Sequence, residues 1–124
     1  MAKVELTDDA REDLRDLDGS ARKVVIKSLV KLRTNPEQRG EPLGNNPRGA
    51  LVGLRKLVVG NRAIRIVFRV TEANQVAVVV VIGKREDSEV YAMASSRLRT
   101  AGTPETLELA EVLRALGGSS AQRT

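Results

Sequence analysis

Lysines, arginines, carboxylates and a single tyrosine are the groups in this chain that can act on an anion. They crowd into Gly83-Lys84-Arg85-Glu86-Asp87-Ser88-Glu89-Val90-Tyr91, directly after the most apolar run, Val76 to Ile82. An arginine guanidinium clamps a phosphate with a planar fork of donors. A tyrosine ring stacks on a base and still hydrogen-bonds through its tip. A buried strand emptying into a loop of this make-up suggests a phosphodiester site, RNA above all. The plainer reading is a solvated loop after a buried strand, and one tyrosine does not decide between the two. The rest of the chain has to.

Composition removes several classes of chemistry. The 124 residues include no cysteine and no histidine. Disulfides, thiolate metal sites, imidazole bases and the usual catalytic triads are therefore absent. No metal or cofactor is expected, and any acid–base step must use Lys, Arg, Tyr, Asp or Glu. Phe68 and Tyr91 are the only aromatics, too few for an aromatic platform of the kind many single-strand binders use. The net charge of +5 favours polyanionic partners. It is unevenly spread: residues 1–18 carry three basic and seven acidic groups, and residues 19–70 carry twelve and two. No apolar run approaches the roughly 18 residues of a membrane span, and the start lacks an apolar signal region, so no membrane association and a cytoplasmic protein are expected.

The elements that must position these groups follow from periodicity. Lys3 to Leu6 reads as a first strand, with Thr7 as the cap of a helix over residues 8–17 on which Ala10, Leu14 and Leu17 share a side. Ser20 is the expected cap of a second helix over residues 21–33. Val25, Leu29 and Leu32 form its stripe, with Ile26 and Val30 beside it, and Arg22, Lys23, Lys27 and Lys31 lie outside. Asn35-Pro36 ends it, and residues 36–50 read as a loop. Three strands come next, at 51–59, 63–70 and 76–82. Short turns between them imply an antiparallel meander. Ile64, Ile66, Phe68 and Val70 point one way and Arg65, Val67 and Arg69 the other, while 76–82 is apolar on both faces and suits a covered central strand. One sheet face packs on the helical hairpin. The opposite face carries Lys56, Arg65 and Arg69, with Arg85 beyond the last strand and Tyr91 near the rim. Cations crowded on one face cost stability unless an anion binds there.

In this order of elements, in Gly53-Leu54-Arg55-Lys56-Leu57 leading into Ala63-Ile64-Arg65-Ile66-Val67-Phe68, and most of all in the stretch from Gly83 to Tyr91, the chain resembles the RelE/ParE superfamily of toxins from type II toxin–antitoxin pairs, specifically the RelE branch. The resemblance runs from about residue 3 to residue 98. It implies an α+β fold: a small RelE-like domain at 1–100, with an antiparallel sheet packed against an N-terminal helical hairpin. A C-terminal helical extension at 101–118 and a disordered tail at 119–124 follow. It implies a ribosome-dependent, metal-independent mRNA endoribonuclease, or mRNA interferase, that cuts mRNA in the A site with the ribose 2′-hydroxyl as nucleophile.

Carried over residue by residue, the resemblance makes Lys56 a catalytic lysine that helps deprotonate the 2′-hydroxyl or stabilises charge. Arg65 steadies the scissile phosphate, Arg85 protonates or stabilises the leaving 5′-oxygen, and Tyr91 stacks on the mRNA base. Arg48, Arg55, Arg62, Arg69 and Lys84 are expected RNA contacts. A lysine base is possible because neighbouring cations and burial are expected to lower its pKa from about 10.4. Arginine resists deprotonation, which favours a charge-stabilising role for Arg85. The implied partners are a cognate RelB-like antitoxin, the ribosome and mRNA, with promoter DNA reached only through the antitoxin complex.

The chain departs from the family pattern at Val58, where a second lysine would stand on the same strand face. Either Lys56 works alone, Arg55 or Lys84 substitutes, or activity is weak. Two other readings stay open: a ParE-like inhibitor of DNA gyrase, and a catalytically inactive antitoxin-binding corepressor. Thr103 and Pro104 start a further helix with Leu109, Val112, Leu113 and Leu116 on one side and Glu105, Glu108 and Glu111 on another. It either packs on its own domain, or shields the basic face or makes a dimer contact.

Overall fold

The computed structural model describes residues 1–43, 54–61, 63–71, 75–84, 86–104, 106, 107 and 110. Strand β1 (Lys3–Leu6) leads into helix α1 (Asp8–Asp16), whose first turn is closed by Thr7 Oγ1 accepting from the Ala10 amide at 3.1 Å. Asp18, not Ser20, caps α2 (Gly19–Lys31), its Oδ1 accepting from the Ala21 amide at 2.9 Å. A carboxylate at that point also meets the positive end of the helix dipole. Arg22 does not stay on the outer face. It turns back and donates to the carbonyls of Leu14, Arg15 and Leu17, satisfying the open C-terminus of α1 and fixing the hairpin.

A 3₁₀ turn at Pro36–Gln38 and a two-residue strand β2 (Glu41–Pro42) lie where the sequence suggested only loop. Then come β3 (Leu54–Val59), β4 (Ile64–Thr71) and β5 (Val76–Gly83). The sheet order is β1-β5-β4-β3-β2. The meander is antiparallel as expected, but β1 runs parallel to β5, with Lys3 beside Val76 and Leu6 beside Val79, so the sheet is mixed. The hairpin carries the chain from β1 to β2 at the opposite edge, and the meander then returns across the sheet to bring β5 alongside β1 in the same direction.

Between Val67 and Phe68 the β4–β5 register slips by one: Val67 faces Val81 and Phe68 faces Val79, leaving Val80 as a bulge. A bulge breaks alternation, so Val80 and Val81 both point to the same side. On that side they join Leu54, Val67, Val90, Ala94 and Leu98 in one core. On the other, Ala10, Val25, Leu29 and Leu32 of the hairpin pack on Ile64, Ile66, Phe68, Ala77, Val79 and Ile82. Ile26 and Val30 stay exposed.

The second core exists because Asp87–Ala101 forms a 15-residue helix, α3, so the segment from Asp87 to Tyr91, expected as loop, is its first turn and a half. Val90, Ala94 and Leu98 recur every four residues and give it a buried stripe. The sheet is therefore covered on both faces. Among the described residues no strand borders β5 past Leu6, and two side chains take its place. The Ile82 amide donates to Asp13 Oδ2 at 3.0 Å and the Val80 carbonyl accepts from Arg97 Nη1 at 2.9 Å. Arg97 closes on Asp13 through contacts of 2.7 and 3.1 Å, tying α1, β5 and α3 together.

The helix expected from Thr103 begins as read. Thr103 Oγ1 accepts from the Thr106 amide, and its carbonyl from the Leu107 amide. Ala110 is buried in the α3-side core and accepts from Ser95 Oγ at 2.8 Å, so the start of this segment packs on its own domain. Its apolar positions at 109, 112, 113 and 116, its acids at 105, 108 and 111, and the tail at 119–124 lie outside the described residues. No helix among the described residues is long and apolar enough to cross a membrane.

Candidate active site

Alternation along β3 and β4 puts Lys56 and Arg65 on the α3 side of the sheet. Lys56 stands opposite Val67 and Arg65 opposite Val58, so the two cations are diagonal cross-strand neighbours. Helix α3 then lays its first turn across them. Asp87 Oδ2 meets Lys56 Nζ at 2.9 Å and Asp87 Oδ1 meets Arg65 Nε at 2.5 Å. One helical turn on, Tyr91 brings its ring to the same place, with Lys56 Nζ 5.9 Å from the ring centroid, within cation–π range. Tyr91 is half-buried against the α3-side core. Glu41 pairs with Lys56 across β2–β3 and adds a second acid to this neighbourhood.

Protonation follows from these contacts. Burial alone would raise the Asp87 pKa, but hydrogen bonds from Lys56 and Arg65 outweigh it and hold the carboxyl below the usual aspartate value. Burial would likewise lower the pKa of Lys56, yet the Asp87 carboxylate and the Tyr91 phenol hold it above the ordinary lysine value. This corrects the expectation of a lysine with a lowered pKa. Lys56 is an ammonium here because its nearest charged neighbour is an anion, not another cation. The Tyr91 phenol is pushed up, mainly by burial, and stays protonated.

The other expected residues are more dispersed. Arg55 points to the opposite face of β3 and donates to the carbonyls of Arg39 and Gly40 at 2.7 and 3.1 Å, bracing the approach to β2. Gly40 has φ +65°, and a Cβ there would lie 2.2 Å from the Lys56 carbonyl, so β2 approaches the Lys56 backbone more closely than a side chain allows. Arg69 shares the face of Arg65 but lines a cavity of about 370 Å³ with Thr7, Val80, Arg97 and Thr106. Lys84 reaches the other way, to Asp18 at 3.5 Å. Arg48, Arg62 and Arg85 lie outside the described residues. Asp87 is the site residue the sequence reading missed as a participant. Its signal was available, because a carboxylate four residues before Tyr91 on one helix must share that residue's side.

The sequence model describing the ParE toxin of the type II toxin–antitoxin system parDE matches residues 4–89. The chain belongs to that family, within the RelE/ParE superfamily. The toxin is 30% identical over 89 residues to the mRNA interferase toxin RelE of Escherichia coli, a span of 72% of this chain and 88% of that protein. Its structure is similar to that of an arginine double mutant of E. coli RelE in the free state. The TM-score is 0.63 and the identity 28%, over 78% of this chain and 98% of the other. The same mutant in complex with an antitoxin RelBc peptide is similar at TM-score 0.58 and 26% identity, over 75% and 93% of the two chains. The α+β fold read from the sequence agrees with these neighbours. This is a RelE-like toxin of a toxin–antitoxin system.

Proposed function

We propose that this toxin is a ribosome-dependent mRNA endoribonuclease that cuts mRNA in the A site and so inhibits translation. The observation that carries this is the meeting of Lys56, Arg65 and Tyr91 on one side of the sheet. Two cations on adjacent strands, beside a phenol, suit a phosphodiester whose neighbouring base lies on the ring. In the reaction the ribose 2′-hydroxyl attacks phosphorus and gives its proton to water, the bond to the 5′-oxygen breaks and that oxygen takes a proton from water, and a 2′,3′-cyclic phosphate and a 5′-hydroxyl result. Arg65 holds the non-bridging oxygens. Lys56, as an ammonium, stabilises the charge that builds on the phosphorane. Arg85 is assigned to the leaving oxygen. No step calls for a metal, and without histidine the enzyme relies on positioning and electrostatic stabilisation.

The partners that follow are mRNA in the ribosomal A site and a RelB-like antitoxin, the latter supported by the RelBc-bound relative. Promoter DNA would be met only through the antitoxin complex. One observation favours a second reading: the matching family is described by the ParE toxin, so gyrase inhibition is the rival. Primer extension on mRNA from cells expressing the wild type, Arg65→Ala and Arg85→Ala separates them. In-frame A-site cuts that vanish in both variants are expected. Arrested growth without cuts, together with blocked supercoiling by purified gyrase, would replace the nuclease reading with the rival.

A further inference from the structure

The feature this reading does not absorb is a carboxylate in the middle of a site meant for phosphate. Asp87 touches both Lys56 and Arg65, one oxygen to each. The cations are 12% and 19% exposed, while Asp87 is 44% exposed, so it forms the outer layer over them. Any anion approaching from solvent meets Asp87 first. The spacing matters as well: two oxygens on one carbon, each taken by a different cation, match two non-bridging oxygens on one phosphorus. Asp87 also sits in the first turn of α3, where Glu86, at the cap position, gives no side-chain hydrogen bond. Removing the carboxylate from this turn would leave a helix N-terminus and two cations facing one small volume.

We infer that Asp87 is an internal stand-in for the scissile phosphate, a positioning residue that holds Lys56 and Arg65 in place in the free toxin and is exchanged for the RNA phosphate on binding. The inference rests on the reading of the site as a phosphodiester site. It explains how two cations stay packed under a helix with no ligand, since unpaired buried charge would be costly. It also makes the free toxin a weak RNA binder, because every phosphate that enters must first displace a carboxylate. Tight engagement is then reserved for a surface that supplies further contacts.

The test uses a short 2′-O-methyl RNA, which binds but cannot be cut, with fluorescence anisotropy as the readout. Asp87→Asn keeps the shape and removes the charge. It should bind at least about tenfold tighter than wild type at low salt. Its log-affinity should also fall more steeply with log salt, by roughly 0.7, as one more phosphate contact is gained. Asp87→Glu, still an anion, should gain little. Equal or weaker binding by Asp87→Asn, with wild-type binding still lost in Lys56→Ala, would overturn the exchange and leave the phosphodiester site standing. Binding unaffected by Lys56→Ala in every background would overturn the site itself.

A readout on the wild type does not depend on how the variants fold. The Asp87 side-chain carboxyl carbon, followed by NMR across acid pH, should titrate nearer the ordinary aspartate value when the oligonucleotide is saturating. A titration unchanged by bound RNA would also overturn the exchange.

Discussion

In the proposed reaction Lys56 acts through its charge. With Asp87 and Tyr91 holding its pKa up, it is a poor base at neutral pH and a good electrostatic partner. Lys56→Arg keeps the charge and cannot deprotonate, so it should retain a measurable share of ribosome-dependent cleavage. Lys56→Ala should lose about 10²-fold or more. Single-turnover cleavage of A-site mRNA checks this, and equal losses in the two variants would restore Lys56 as the base. Val58 fits the same picture. It stands directly across from Arg65, where a lysine would set like charges face to face. Lys56 and Arg65 against Asp87 leave one positive charge, and Glu41, paired with Lys56 across β2–β3, offsets it when no substrate is bound.

Helix α3 delivers both Asp87 and Tyr91, so its seating controls the site. The pin is Arg97 on Asp13, both largely buried, with the Ile82 amide and Val80 carbonyl held by the same pair. Arg97→Ala strands the Asp13 carboxylate and should destabilise the fold by about 2–4 kcal/mol, measured by urea unfolding. β2 is the second support. Gly40→Ala forces a Cβ against the Lys56 carbonyl in a left-handed backbone, which should cost more than about 1 kcal/mol and lower cleavage by disturbing Lys56. A variant with native stability and activity would show that β2 yields freely. The sequence showed neither support. A two-residue strand has no periodicity to detect, and Arg97 and Asp13 are 84 residues apart.

Across the whole molecule the site charges set a pH window. Asp87, with its pKa depressed, stabilises the fold above the unfolded aspartate value of about 3.9, and that contribution is lost as pH falls through its folded value. Lys56, with its pKa raised, stabilises it below about 10.4, and that contribution is lost as pH rises through its folded value. Denaturation midpoints should therefore be flat between these limits and fall at both ends. The acid step should be small because solvent screens a half-exposed carboxylate. A maximum confined to one narrow pH would contradict this assignment.

The chain by itself determined what each strand shows to each side. Side chains alternate with a period of two, a local property, so Arg65 and Arg69 were bound to share a face opposite Ile64, Ile66 and Phe68, while the β3–β4 register brings Lys56 to that face. The absence of histidine and cysteine likewise limited the chemistry before any fold was known. Only the tertiary structure decided what lies over that face. Val90, Ala94 and Leu98 carried a helical signal, but the charged run before them reads equally well as a loop. Burial against Leu54, Val67 and the doubled Val80–Val81 face settles it. The parallel seat of β1, the bulge that doubles that face and the carboxylate between the two cations all depend on how distant segments register. Register is fixed by the packing of the whole core and not by the pattern of any one stretch.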